Sequence, residues 1–126
     1  MKATDLMIGD YIQDLAGDLC QVIVLDRQVA QVETLTGVHQ GDTTRYLHEA
    51  EGVPLTPEIM EKNGMSMNPY GEYFAEDKNY FLELSREEEG FSWTINYNEY
   101  TIIPLNYVHE LQHALRLCGI DKTITI

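Results

Sequence analysis

"YFLELSREEEGFSWTIN" (residues 80–96) decides the fold of the second half of this chain. In YFLELS (80–85) and again in FSWTIN (91–96), apolar residues occupy every second position. Such alternation gives each strand one apolar face. The polar stretch REEEG (86–90) between them is typical of a hairpin loop, and no calcium-loop pattern accompanies it. The segment therefore predicts an antiparallel hairpin with a core on one side.

The flanking sequence extends this hairpin into a three-stranded meander. YTII (100–103) predicts the third strand, which we expect to end at Pro104. On the other side, MSMNPYGEYFAEDKN (65–79) carries turn residues without a clean period. It predicts a loop, with at most a short strand near Tyr73.

A helix and a terminal strand follow the meander. The apolar spacing predicts a helix from about Tyr107 to Cys118, with Asn106 as its N-cap and Gly119 as its stop. KTITI (122–126) predicts a strand that pairs with a sheet edge. Trp93 and Leu115 fall on apolar faces, and we expect them to join the meander to the helix in one core.

The first half of the chain predicts a smaller sheet. DYIQD (10–14), LCQVIVLD (19–26) and QVAQVET (28–34) are typical of short strands. TGVHQGD (36–42) contains two glycines and predicts a loop or a bulged turn. Closely spaced short strands favour a strongly bent antiparallel sheet, and the opening LMIGDYIQDLAGDLCQVIVL looks like the start of an SH3-like barrel.

A short helix, LTPEIMEKNG (55–64), joins the two halves. Thr56 can cap it, Pro57 suits the first helical position, and Gly64 lies just past its end.

The predicted fold class is α+β in a single compact domain, residues 1–126. This length is sufficient to bury a core without disulfides or structural metal. We expect an SH3-like antiparallel β-barrel over residues 1–52. Residues 53–126 would add the short helix, a three-stranded antiparallel meander, the C-terminal helix and the terminal strand.

The charge of the chain is strongly acidic. Twenty-one acidic residues against eight basic residues give a formal net charge of −13. Residues 1–52 hold nine acids and three bases, and residues 53–126 hold twelve and five. No basic patch remains to neutralise phosphates, which disfavours binding of DNA or RNA. An acidic surface suits solubility, a basic protein partner, divalent cations or mimicry of nucleic acid.

The cysteines and the N-terminus bear on the compartment. Cys20 and Cys118 lack C-x-x-C spacing and lie in apolar runs, which predicts buried free thiols in a reducing cytosol. Asp5 and Asp10 come before any apolar run long enough for the core of a signal peptide, so the N-terminus does not predict one. No stretch approaches the roughly 20 apolar residues of a membrane span. We therefore expect a cytoplasmic protein without a membrane partner.

HELQH (109–113) is the one motif in the sequence that matches a known catalytic signature. It spells H-E-x-x-H, the zinc-peptidase signature, in which two histidines bind zinc and the glutamate is the general base. At about 100° per residue, His109 and His113 fall on the polar face of the predicted helix, one above the other. Glu110 lies one residue round from His109, where the general base is needed.

This zinc hypothesis lacks a third ligand. A catalytic zinc needs three protein ligands and a water, and the 13 residues after the motif offer only Asp121 and Cys118. His39 and His48 lie upstream, with no spacing that points to either. A short chain also leaves little material for a substrate cleft. We therefore favour a solvated helix face with no metal, cofactor or catalytic residue.

Aromatic residues are concentrated in the second half of the chain. Core packing accounts for most of them, and any patch left exposed would mark a protein interface. They are Tyr70, Tyr73, Phe74, Tyr80, Phe81, Trp93, Tyr97 and Tyr100.

Three stretches resemble an uncharacterised family of small proteins from gut Bacteroidales genomes and their phages or other mobile elements. They are MKATDLMIGDYI (1–12), GVPLTPEIMEKNG (52–64) and NYVHELQHALRLCGI (106–120), which together cover about a third of the chain. The family carries no assigned activity, so the resemblance transfers no functional residue. It implies a bacterial cytoplasm, and it implies that HELQH belongs to a longer helical signature.

Three functional hypotheses follow. The first is a non-catalytic protein-interaction or accessory protein of a mobile element or phage, with an acidic surface and exposed aromatic residues. The second is a zinc-dependent hydrolase with His109 and His113 as metal ligands and Glu110 as base. The third is an acidic DNA mimic that inhibits a nucleic-acid enzyme. The sequence names neither a partner nor an oligomeric state.

Overall fold

The computed structural model describes residues 5–25, 30–45, 51–77, 80–86, 93–97 and 101–126. These residues form a mixed α+β protein with two antiparallel sheets and two helices, which confirms the predicted class. The chain divides into two compact units, Met1–Val53 and Pro54–Ile126. The expectation of a single domain stays a prediction.

The first unit, Met1–Val53, is built on a five-stranded antiparallel sheet. The strand order is β4-β3-β2-β1-β5, so that the first strand pairs with both the second and the last. Over the described residues the sheet is not closed, and β4 and β5 are its outer strands, so the predicted SH3-like barrel is not confirmed and stays a prediction. The strands are β1 (Tyr11–Gln13), β2 (Leu19–Leu25), β3 (Ala30–Thr34), β4 (Thr43–Arg45) and β5 (Glu51–Gly52).

Alternation along β2 and β3 builds the core of this unit. Cys20 and Val22 point inward from β2, and Ala30 and Val32 point inward from β3. The register of the two strands shifts between Val22 and Val24, and this irregularity interrupts the alternation of β2. The predicted loop over residues 36–42 is confirmed.

Asp10 is a buried acidic residue at the entrance to β1. Its carboxylate accepts a hydrogen bond from the backbone N–H of Met7 at 2.7 Å, and its backbone N–H donates to the carbonyl of Met7 at 3.1 Å. Its own carbonyl accepts from Val22 N–H at 3.0 Å. Since a buried carboxylate is costly without hydrogen bonds, Asp10 is explained by its role in this turn.

Helix α1 (Pro57–Lys62) opens the second unit, Pro54–Ile126, and confirms the predicted capping. Thr56 is the N-cap, and its hydroxyl accepts from Ile59 N–H at 3.4 Å. At the other end Gly64 has φ +80°, a left-handed conformation that favours glycine. Gly64 N–H donates to Glu61 at 3.0 Å and Met65 N–H to Met60 at 3.1 Å, which is the Schellman pattern.

The sheet of the second unit is a longer meander than we predicted. It has five strands in the order β10-β9-β8-β7-β6. The region 65–79 contains two of them, because a tight turn at Asn68–Glu72 lets short segments on either side pair. The short strand expected near Tyr73 is confirmed as β7, whereas β6 lies where we predicted a loop. The strands are β6 (Ser66–Met67), β7 (Tyr73–Asp77), β8 (Tyr80–Arg86), β9 (Trp93–Tyr97) and β10 (Thr101–Leu105).

One face of this sheet carries the core, as the alternation predicted. Tyr73, Leu84 and Ile95 are in register across three strands and are all buried. Trp93 is buried too, and its indole N–H donates to the carbonyl of Leu55 at 3.0 Å. The loop expected at residues 86–90 lies outside the described residues beyond Arg86.

Pro104 does not end the third strand of the predicted meander. It lies inside β10, paired with Thr94, and the strand continues to Leu105. Because β10 is an edge strand, its outer side has no neighbouring strand, and a proline, which lacks a backbone N–H, is tolerated there.

Helix α2 (Val108–Leu117) begins later than predicted, and Tyr107 is its N-cap in place of Asn106. Tyr107 has extended backbone angles, φ −127° and ψ 156°, as N-cap residues do. Gly119 stops the helix as predicted, with φ +71°. Ile120 N–H donates to Leu115 at 2.8 Å and Gly119 N–H to Arg116 at 3.0 Å, a second Schellman pattern.

The C-terminal residues 122–126 form no strand, contrary to our prediction. The side chain of Asn63 takes the place of a neighbouring strand. Its Nδ2 donates to the carbonyl of Thr125 at 2.8 Å, and its Oδ1 accepts from Thr125 N–H at 2.7 Å. Ile124 is buried beside this contact. One amide side chain therefore satisfies both backbone groups of Thr125, as a neighbouring strand could have done.

Candidate functional site

Glu110, the proposed general base, is part of the N-terminal cap of α2. Its Oε1 accepts hydrogen bonds from the backbone N–H groups of Asn106 and Tyr107, each at 3.0 Å. A helix leaves its first N–H groups without intrahelical partners, and a carboxylate three residues into the helix can reach back to the cap. The negative charge also lies at the positive end of the helix dipole. Glu110 therefore has a structural role in this conformation.

His109 is buried, whereas we predicted that it would lie on a solvated polar face. Only 6% of its surface is exposed, and Gln112 is buried as well. At about 100° per residue, the buried positions of α2 span an arc of roughly 220° around the helix. This arc is much wider than the one occupied by the apolar residues of the helix. The prediction failed because it assumed that only the apolar side of the helix would be covered.

An aromatic stack runs along this side of α2. The ring of Tyr107 is parallel to that of His109, with centroids 5.7 Å apart and an interplanar angle of 9°. The ring of His113 meets His109 edge-on, also at 5.7 Å between centroids. The i, i+4 histidines are therefore close, as their spacing predicted. The half-exposed Tyr107 ring covers one face of the more deeply buried His109.

The residues considered as a third metal ligand do not join the two histidines. In the described part of the chain, no three His, Cys, Asp or Glu side chains form a cluster able to hold a metal. His39 instead lies in a loop of the first unit, with its Nδ1 3.3 Å from Asp42 Oδ2. Asp121 is exposed, and Cys118 is the half-buried C-cap of α2. His48 lies outside the described residues.

Two carboxyl groups lie close together, Glu72 directly before β7 and Glu83 on β8, and no sequence motif predicted this pair. Glu72 Oε2 accepts a hydrogen bond from the hydroxyl of Ser85 at 2.6 Å. That bond lowers the pKa of Glu72, and a hydrogen bond with the side chain of Glu83 lowers it further. The two strands bring these groups together, and we had predicted a loop at residues 65–79. The alternation of YFLELS was the available signal, since it places Glu83 and Ser85 on one face.

The turn between β6 and β7 presents an exposed tyrosine on a rigid support. Asn68 Oδ1 accepts from the N–H groups of Tyr70 at 2.9 Å and Glu72 at 3.0 Å. The backbone of Asn68 bonds to Glu72 and Gly71 at 2.8 and 3.1 Å. Tyr70 is 86% exposed at the tip, and the neighbouring Met67 is 59% exposed. Tyr70 is thus an exposed aromatic side chain on a turn fixed by hydrogen bonds, and Met67 is an exposed apolar side chain on the strand that leads into this turn.

Other aromatic residues of the second unit belong to its core. Tyr73 and Trp93 are buried and meet edge-on, with centroids 6.1 Å apart. Burial raises the pKa of Tyr73, and the hydrogen bond from its hydroxyl to Glu61 at 3.2 Å raises it further. Core packing thus accounts for these two, as predicted, whereas Tyr70 is exposed and Tyr107 is half-exposed.

Burial also affects both thiols. The two cysteines are free, with Cys20 buried and Cys118 half-buried. Desolvation raises the pKa of each thiol. Because the thiolate is the reactive form, neither environment favours a nucleophilic cysteine.

Comparison of the chain with protein-family models, with curated proteins and with solved structures finds no match. None of the helices in the described part of the chain has the length and apolar character needed to cross a membrane.

Proposed function

We propose that this protein is a non-catalytic, acidic protein-interaction protein that acts in the bacterial cytoplasm as an accessory factor of a mobile element or phage. The setting rests on the resemblance of three of its stretches to a family from such genomes. The interaction role rests on the Tyr70 turn and on the charge of −13.

The Tyr70 turn is the observation that carries this proposal. Tyrosine is enriched at interfaces because it offers a large, rigid contact area with a polar tip. A turn fixed by Asn68 has little conformational freedom left to lose on binding. The exposed side chain of Met67 extends the contact area with an adaptable apolar group.

The zinc-hydrolase alternative receives less support from the same helix. Glu110 would have to give up two backbone hydrogen bonds to act as a base, and His109 lies beneath Tyr107. We therefore propose that HELQH serves the folding of α2 and binds no catalytic metal.

We also propose that the first unit is an SH3-like barrel. The support is its strand order, in which a meander of four short strands is followed by a fifth that pairs with the first. The irregularity between Val22 and Val24 supplies the local bend that a small barrel needs.

A photo-crosslinking amino acid at position 70 tests the interaction role. We would express this variant in a Bacteroidales host, next to a control with the same amino acid at the exposed Leu117 of α2. We expect a discrete adduct from position 70 that the control does not give. The captured protein is then purified, and Tyr70→Ser should weaken its binding about tenfold or more. Equal binding by wild type and Tyr70→Ser would contradict the proposal.

A further inference from the structure

The first unit presents two adjacent turns that form one surface, defined here as residues 14–18 and 35–42 and called the two-turn surface. The first of these turns is closed by its own aspartates. Asp14 N–H donates to the carbonyl of Asp18 at 3.0 Å, and Asp18 N–H donates to Asp14 Oδ1 at 2.9 Å. Gly17 N–H donates to the carbonyl of Asp14, also at 3.0 Å. Leu15 lies at its tip and is 77% exposed.

The second turn is equally well tied. Thr34 N–H donates to the carbonyl of Asp42 at 2.9 Å, and Gly41 N–H donates back to the carbonyl of Thr34 at 2.7 Å. Asp42 N–H donates to the carbonyl of His39 at 2.9 Å. Val38, at the tip, is 96% exposed. A β-branched residue held almost entirely in water gains nothing for the fold by burial.

Direct contacts hold the two turns together. Leu19 N–H donates to Thr36 Oγ1 at 2.9 Å, and Leu35 N–H donates to the carbonyl of Leu19 at 2.7 Å. The backbone of Gly37 lies so close to the carboxylate of Asp18 that an added Cβ would overlap it. The two turns that carry Leu15 and Val38 are therefore tied to each other and form one preorganised surface, as loops on a rigid scaffold do.

The two-turn surface is predominantly acidic. Residues 14–18 and 35–42 contain Asp14, Asp18 and Asp42 and neither lysine nor arginine. His39 is the single basic side chain, and its Nδ1 lies 3.3 Å from Asp42 Oδ2. Two exposed apolar side chains thus stand among three carboxylates.

We infer that the two-turn surface binds a basic protein segment that carries an apolar side chain between lysines or arginines. The apolar group would bury Leu15 and Val38, and the flanking cations would face the aspartates. A second copy of this chain is a poor occupant, because each copy carries −13 and would meet like charge. This site is separate from the Tyr70 turn and does not depend on the function proposed for it.

The test is an NMR titration of the full chain with three synthetic peptides of equal length. One alternates lysine and leucine, one alternates lysine and serine, and one alternates glutamate and leucine. We expect saturable amide shifts within residues 14–18 and 35–42 for the lysine–leucine peptide. The lysine–serine peptide should bind at least about tenfold more weakly, a difference of about 1.4 kcal/mol. The glutamate–leucine peptide should not shift these residues.

Variants locate the site and separate it from nonspecific attraction. Leu15→Ser combined with Val38→Ser should weaken the lysine–leucine peptide about tenfold, and both positions are exposed, so folding is retained. The matched control, Leu117→Ser in the other unit, should bind as wild type does. Equal affinity for the lysine–leucine and lysine–serine peptides, or shifts outside the two turns, would overturn the inference. A sedimentation mass that falls from dimer to monomer in the double variant would also overturn it in favour of self-association.

Discussion

Replacement of Glu110 by alanine decides between its two possible roles, helix cap and catalytic base. The substitution removes a carboxylate that accepts two backbone N–H groups at 3.0 Å. Loss of a capping side chain costs roughly 1 kcal/mol, within a range of about 0.5–2. Loss of a negative charge from the first turn adds about 0.3–1 kcal/mol. We therefore expect Glu110→Ala to lower the free energy of unfolding by about 1–2 kcal/mol.

Two further variants divide this cost into its parts. Glu110→Gln keeps an acceptor oxygen but loses the charge, so we expect it to cost about half as much as alanine. Glu58 lies in the first turn of α1 and is exposed. Glu58→Ala is thus the matched control for the dipole contribution, expected to cost at most about 1 kcal/mol.

Urea unfolding monitored by tryptophan fluorescence is the suitable assay. Trp93 is the single tryptophan, is buried in the same unit as α2, and therefore reports on that unit. A change in midpoint at constant slope would identify a change in stability alone. If Glu110→Ala were as stable as wild type, or more stable, the capping role would be refuted. A gain in stability would instead favour a catalytic role, since active-site residues are often retained at the expense of stability.

Four further outcomes are expected. Leu115→Ala should cost roughly 2–5 kcal/mol in the same urea assay, because Leu115 is fully buried, and a change below about 0.5 kcal/mol would show that α2 docks differently. Purified protein should carry far less than one zinc per chain by elemental analysis, and stoichiometric zinc that disappears in His113→Ala would disprove this. Burial raises the pKa of Tyr73 in the folded protein, so above a pH of about 10 the unfolded chain loses the Tyr73 proton first. The stability of the wild type should therefore fall with rising pH more steeply than that of Tyr73→Phe. A thiol reagent should modify Cys118 before the more deeply buried Cys20, and a fast phase that persists in Cys118→Ser would contradict this order.

Three local features follow from the sequence. Helix α1 follows from Thr56, Pro57 and Gly64, because capping bonds join residues only a few positions apart. The paired strands β8 and β9 follow from alternation, which records in the sequence which face of a strand is buried. Gly119 was identified as a stop because a left-handed residue there favours glycine.

The roles of the HELQH residues could be predicted only in part. The i, i+4 spacing correctly placed His109 near His113. A glutamate three residues after a helix N-cap is itself a capping signal, but the sequence favours Asn106 as the cap, and from Asn106 the spacing to Glu110 is four residues. The burial of His109 had no local signal at all.

Tertiary structure alone decided which polar side chains meet partners that are distant in the sequence. Asn63 binds both backbone groups of Thr125 across 62 positions, and no pattern within KTITI could reveal that partner. The contact of Ser85 with Glu72 likewise joins distant residues. His109 is buried because more than half the circumference of α2 is covered, which no local pattern indicates. Periodicity and caps are properties of consecutive residues, so the sequence by itself determined helix α1, the end of α2 at Gly119 and the buried faces of β8 and β9. The choice among distant partners depends on which surfaces come together when those faces are buried, and that is a property of the folded chain alone.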